Sequence, residues 1–334
     1  MVTWFKIIFS GTLLFFAAIA ALMVIFLSPI SRNSISETIL VPHGTSIEEI
    51  AILLREANLI RSSAMFQLYS FISGTAHRLK PGHYVFQGGL STPQIVEKLV
   101  SGPEDISVTL IEGRALADID MQLTALGFIA EGELIHFSPD SIADKYPFLK
   151  NKESLEGFLF PDTYRFAPQS SLNQIVEKIV ENFKEKILPL YDVASDLETD
   201  EFYETLIVAS LIEREIPFSE DRFLVSGILA RRLAIGMALQ IDASVLYAFC
   251  EKKTLECPPL TRKDFEIDSE YNTYIRIGLP PTPIANPGFN ALESAKNPEK
   301  SEYLYYLSDP ETKKTIFARD LEEHNENRAK YLHL

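Results

Sequence analysis

The sequence predicts an α+β protein carried on an amino-terminal membrane helix, and three observations predict it. An uncharged, almost wholly apolar run extends from Ile7 to Leu27. A pattern of short strand, glycine turn and helix occurs twice, first at Val41–Gly44 and again at Leu110–Gly113. Helical-period apolar stripes then fill the middle of the chain, and a hairpin pattern follows near its end.

At ~1.5 Å rise per residue the first run is long enough for a hydrocarbon core of ~30 Å. Trp4 and Lys6 sit at its amino-terminal edge, where an aromatic ring and a cation are favoured. The small residues of Ala17–Ala21 offer a rival reading, a cleaved signal peptide. The run exceeds the usual apolar core of about 7–15 residues, so an uncleaved signal anchor is preferred. With only Lys6 and the amino group before the span and Arg32 after it, charge specifies orientation weakly. An acidic body outside the cytoplasm is the expectation.

After a polar linker, Thr38–Pro42 reads as a strand and Ser46–Glu56 as a helix with Ile47, Ile50, Ala51 and Leu54 inward. A second helix is expected over Ala64–Ile72, then a turn and strand from Lys80 to Phe86. A third helix starts at Thr92-Pro93, proline being tolerated in the first turn, and closes at Gly102. Ile50, Leu54, Asn58 and Ile60 of the first strand–helix copy match Ile119, Leu123, Gly127 and Ile129 of the second. A duplicated small βα element is one reading; a chance likeness of βα units is the other. Ser154–Phe166 packs aromatics around Glu156 and Asp162, which suits either a ligand groove or a turn. Asn173–Lys186 is an amphipathic helix striped by Ile175, Val176, Ile179, Val180 and Phe183.

The chain is organised around Leu206–Tyr247. Phe202, Leu206, Ala209 and Glu213 share one helical face, apolar until it meets the carboxylate. Partial desolvation makes Glu213 a candidate general acid. The alternative is a structural ion pair with Arg214, Arg222 or Arg231. Pro217 ends this helix, Ser219 caps the next, and Asp242 reads as the cap of a third. Cys250 and Cys257 lie in the following loop, either paired or as independent thiols. Tyr271–Gly288, stiffened by prolines, is either a strut or a rigid loop offering Tyr271, Asn272 and Tyr274 to a carbohydrate. A hairpin around Asp309-Pro310 and a helix over Leu321–Tyr331 complete the chain.

With 334 residues and 46% hydrophobic content, the chain is long enough for two or three domains with real cores. A net charge of −15 argues against a nucleic-acid partner. Two cysteines and six scattered histidines give no zinc-type spacing, so neither a metal nor a cofactor is expected.

Several of these segments, in order, resemble the MltG (YceG-like) family of endolytic peptidoglycan transglycosylases. The matching stretches are Leu155-Glu-Gly-Phe-Leu-Phe-Pro-Asp-Thr-Tyr164, Ala209-Ser-Leu-Ile-Glu-Arg-Glu215 and Arg232–Asp242. Tyr271-Asn-Thr-Tyr274, Gly278–Gly288, Tyr303-Leu-Tyr-Tyr306 and Glu323-His-Asn325 follow. The chain departs from the family pattern at Arg231, Ala243 and Thr315. The resemblance implies a cytoplasmic tip and membrane anchor over 1–30, a LysM-like module over 31–104 and a mixed α/β catalytic domain over 105–334. It also implies cleavage of MurNAc–GlcNAc bonds in nascent peptidoglycan to leave 1,6-anhydro-MurNAc ends. Glu213 would act as acid and then base, with Gln240, Asp242, Tyr271, Asn272 and Glu156 positioning substrate. Glycan strands would be the partner, with peptidoglycan synthases as candidate further partners, at the outer face of the cytoplasmic (inner) membrane. A hydrolytic muramidase using Glu156 or Glu215 as second carboxylate, and a non-catalytic wall anchor, are the alternatives.

Overall fold

The computed structural model describes residues 25–30, 37–42, 44–192, 194–250, 252–253, 255 and 257–332. Most of the expected membrane span, residues 7–24, lies outside the described residues. Among the described residues no helix is long and apolar enough to cross a membrane. The chain divides into two units, one running to Ile106 with Arg165–Gln169, the other comprising Ser107–Tyr164 and Ser170–Leu334.

In the first unit, β1 (Glu37–Val41) pairs antiparallel with β2 (Gly82–Phe86), placing Ile39 opposite Tyr84. Between them run α1 (Ile47–Glu56) and α2 (Ser63–Ile72), and α3 (Thr92–Ser101) follows. Local chemistry sets these limits. The Ser46 and Glu49 side chains cap α1 reciprocally, each accepting from the other's backbone amide. Ile39, Val41, Ile50, Leu54, Phe66, Tyr84, Phe86, Ile95 and Leu99 form one buried cluster. The Tyr84 hydroxyl donates to the Lys80 carbonyl at 2.7 Å, so the one polar tip in this core is satisfied.

The second unit is mainly helical. It holds most of β3 (Ile106–Thr109) and the start of β4 (Thr163–Phe166), and the Leu110 amide donates to the Asp162 carbonyl. Helices α4 (Leu116–Ala125) and α5 (Leu172–Ile187) come next in this unit, the latter burying the predicted stripe from Ile175 to Phe183. The two strand–helix copies share backbone conformation as well as pattern. Gly44 and Gly113 have φ of 81° and 75°, and Asn58 and Gly127 have φ of 55° and 76°. These left-handed positions favour glycine or asparagine, which explains why those residue types recur there.

Helix α6 (Asp200–Glu215) packs against α7 (Ser219–Ala234), α8 (Asp242–Phe249) and α9 (Phe289–Lys296). Phe202, Leu206 and Ala209 are buried as their spacing requires. Helix α6 stops two residues before Pro217, and α8 begins at Asp242 itself, with Ile241 in the cap position. Cys250 and Cys257 form a disulfide, their Cα atoms 5.9 Å apart. The proline-rich segment from Tyr271 to Gly288 holds its shape without regular structure. Strands β5 (Tyr305–Ser308) and β6 (Thr315–Ala318) form the predicted hairpin, closed by α10 (Leu321–Tyr331).

Candidate active site

The end of α6 carries two carboxylates, Glu213 and Glu215. Residues two apart on a helix point about 200° from each other, so the two groups enter different surroundings.

Glu213 faces α7 and the start of α9. Arg222 donates to both of its oxygens, at 3.2 and 2.8 Å, and the Gly288 amide donates to Oε2 at 3.0 Å. Both side chains are buried, and Arg222 also donates from Nε to the Ile216 carbonyl. Glu112 lies alongside. A Cβ at position 288 would stand 2.1 Å from Glu112 Oε1, so any larger residue there would have to displace the Glu112 carboxylate. Burial, and then the charge on Glu213, raise the Glu112 carboxyl above its ordinary pKa, while Arg222 opposes that rise. With both oxygens engaged by protein donors, Glu213 is built as the anchor of an ion pair. Of the alternatives left by the sequence, the Arg222 pairing is present.

Glu215 faces the start of α8. Burial, and then the nearby Asp242, push its carboxyl up to about 7. The Ala243 amide and Arg232 pull the other way. Asp242 is exposed and accepts the Tyr274 hydroxyl. Arg232 is buried, donating from Nε to the Leu304 carbonyl at 2.7 Å and from Nη1 to that of Leu239. The segment before α8 is clamped by Thr273: the Gln240 amide donates to its carbonyl at 3.0 Å and the Ile241 amide to its hydroxyl at 2.9 Å. Gln240 holds φ of 52° and leaves its side chain exposed. Two exposed polar side chains, Gln240 and Asp242, thus stand beside a half-buried acid that titrates near neutrality. Such an acid can deliver a proton and take one back at physiological pH.

Glu156 is elsewhere in this unit, 3% exposed. It accepts from the Leu116 amide at 3.0 Å, the Tyr247 hydroxyl at 2.9 Å and the Asn286 amide at 3.2 Å. Burial raises its carboxyl to about 8. A cavity of about 240 Å³ lies beside it, lined partly by Ser154, Lys252 and Thr282. Tyr271 belongs to the same region, its ring centroid 5.1 Å from that of Tyr247 and its hydroxyl bonded to Thr282. Asn272 is fully buried, and its side-chain amide donates to the Phe265 and Ile267 carbonyls at 2.9 Å. Glu156 and Asn272, expected to position substrate, are therefore occupied by internal partners.

The structure brings Gln240 and Asp242 together, joins Tyr271 with Glu156 through Tyr247, and sets Glu213 apart with Arg222. Sequence reasoning offered Glu215 only as the second carboxylate of a hydrolytic muramidase, and it faces another side of the helix from Glu213. That other side holds Asp242, Arg232 and Tyr274, all within the stretches quoted for the family resemblance.

Known proteins resemble this chain over most of its length. The model of the YceG-like family matches residues 39–330. An endolytic murein transglycosylase of Bacillus subtilis is 33% identical over 92% of this chain and 88% of its own length. One from Streptococcus pneumoniae serotype 2 is 30% identical over 92% of this chain, which spans 60% of that longer protein. A crystal structure of a YceG-like protein from Listeria monocytogenes superposes with a TM-score of 0.59 at 32% identity, covering 88% of this chain and all of the other. The chain belongs to the YceG-like family.

Proposed function

We propose that this protein is an endolytic murein transglycosylase and that Glu215 is its acid and base. The observation that carries the assignment is a carboxyl titrating near 7 at the start of α8, beside exposed Asp242 and Gln240. Glu215 protonates the glycosidic oxygen between MurNAc and GlcNAc, and the C1–O4 bond breaks. The resulting carboxylate then takes the proton of the MurNAc C6 hydroxyl as O6 bonds to C1, leaving a 1,6-anhydro end. One carboxylate suffices because the two transfers are consecutive. A two-carboxylate hydrolase needs a second acid as nucleophile or water activator. Gln240 and Asp242 are the positioning groups retained from the sequence expectations. Glu213, expected there as the acid, here fixes the end of α6 through Arg222.

The first unit supports a LysM-like wall-binding module by its order of strand, two helices and antiparallel strand. The apolar run before it supports a single-pass anchor in the cytoplasmic membrane, with both units on the outer side. Peptidoglycan synthases are candidate neighbours at that surface. Digestion of purified murein followed by mass analysis tests the reaction type. Transfer gives ends lighter by one water than reducing MurNAc ends; products with reducing ends would assign a muramidase instead, and no cleavage a wall anchor.

A further inference from the structure

We propose that the Tyr306 hydroxyl is the hydrogen-bond donor reserved for the Glu215 carboxylate once that group has given up its proton. The inference rests on the reading of Glu215 as acid and base.

Tyr306 lies on β5 opposite Phe317 of β6. Its Oη is shut off from solvent and has no hydrogen-bond partner among the described residues. Three other phenols around these sites are in use. Tyr247 donates to Glu156, Tyr274 to Asp242, and Tyr271 is bonded to Thr282. A buried hydroxyl without a partner destabilises a fold, and in a native protein it calls for an explanation. The position of the ring supplies one. The Arg232 guanidinium stands 5.8 Å from its centroid, and Arg232 is tied to the carbonyls of Leu239 and Leu304. That places the phenol against the segment leading into Asp242. The charged groups acting on it are Glu215 first, then Arg232, with Tyr274 and Asp242 beyond, the same groups that surround Glu215.

Consider the charge balance of the first step. The proton of Glu215 moves to the leaving oxygen, which keeps the electron pair of the broken C–O bond. A carboxylate is left in a desolvated site beside Asp242. Already acting on it are the Ala243 amide, which donates a hydrogen bond, and the charge of Arg232. A further donor that is idle while Glu215 is protonated and bonds only when charge appears stabilises the reacting state selectively. Tyr306 keeps its own proton throughout. The groups facing Glu215 are Asp242 of α8, Arg232 of α7, Tyr274 and Tyr306. His324 of α10 stacks on the Tyr305 ring; burial, then Arg328 and Arg232, hold its pKa below the ordinary value.

The test is Tyr306→Phe in the full-length protein, assayed on murein glycan strands across pH beside Glu215→Gln. We expect kcat to fall ~10-fold, the size of a hydrogen bond to a charged group. KM should be unchanged and the basic limb of kcat should move to higher pH. Thermal stability should be unchanged or raised, because the variant removes an unpaired buried hydroxyl. A wild-type profile, or a lowered Tm with an unmoved limb, overturns the inference. If Glu215→Gln is inactive while Tyr306→Phe is wild type, the inference alone fails. If Glu215→Gln stays active, the assignment of Glu215 fails with it.

Discussion

Arg222 holds both carboxylate oxygens of Glu213, at 2.8 and 3.2 Å, with each side chain less than a tenth exposed. This pair ties α6 to α7, and through the Gly288 amide it reaches the first turn of α9. It therefore fixes the end of the helix on which Glu215 is mounted. Arg222→Met leaves Glu213 buried without its cation, and the expected loss is about 3–5 kcal/mol in denaturant unfolding. Combining it with Glu213→Gln should recover part of that loss. A loss in the double variant equal to the sum of the two single losses would mean that the pair carries no coupling.

A second expectation concerns pH. The folded-state carboxyl of Glu156 titrates at about 8, above its ordinary value, because burial disfavours the charge. Its stabilising contribution is therefore complete below the ordinary carboxylate range and is lost as pH rises through 8. Glu215 acts in the same direction up to about 7. Unfolding free energy should fall with rising pH across this window, by up to ~1.4 kcal/mol per pH unit for each group. Glu156→Gln should flatten the upper part of the slope and unfold later than the wild type at pH 9. An unchanged slope would show that Glu156 is ionised in the folded protein.

Helix α7 contains Gly227 in its interior, where glycine is normally unfavourable by about 1 kcal/mol relative to alanine. The reason is contact. A Cβ there would stand 1.7 Å from the Glu299 carbonyl oxygen, and the Glu299 amide donates to the Phe223 carbonyl at 3.0 Å. Gly227→Ala should therefore destabilise despite its better helix propensity, with a clear drop in Tm. A raised Tm would mean that the segment after α9 gives way at little cost.

Most of the architecture was legible because periodicity and punctuation agree. Ser46 with Glu49, Pro93, Gly102 and Pro217 each mark a boundary that the structure keeps within a residue or two. The stripe of α5 and the final hairpin were equally plain. The site was legible only in outline. Gln240 and Asp242, the proposed positioning groups, stand out because they sit in a polar break between helices. Glu213 drew attention as the carboxylate continuing an apolar face, but that face leads to Arg222, nine residues away around a turn, and spacing alone does not say which arginine arrives. Glu215 was passed over because its surroundings come from Asp242, Tyr274 and Arg232, which only the tertiary fold assembles. Glu156 and Asn272 show the converse. Polar residues among aromatics read alike whether they line a groove or fill a core, and here both are buried.

The most direct measurement is a count of 1,6-anhydro ends released from murein by Glu215→Gln and by Glu213→Gln, each compared at its folded fraction. General acid–base participation is typically worth ~10²–10⁴ in rate, so Glu215→Gln should lose at least that factor while keeping its Tm. Glu213→Gln should lose stability first and, per folded molecule, retain most activity. Near wild-type anhydro product from Glu215→Gln, or a ~10²-fold or greater loss from Glu213→Gln at unchanged Tm, would contradict the assignment and return the role to Glu213.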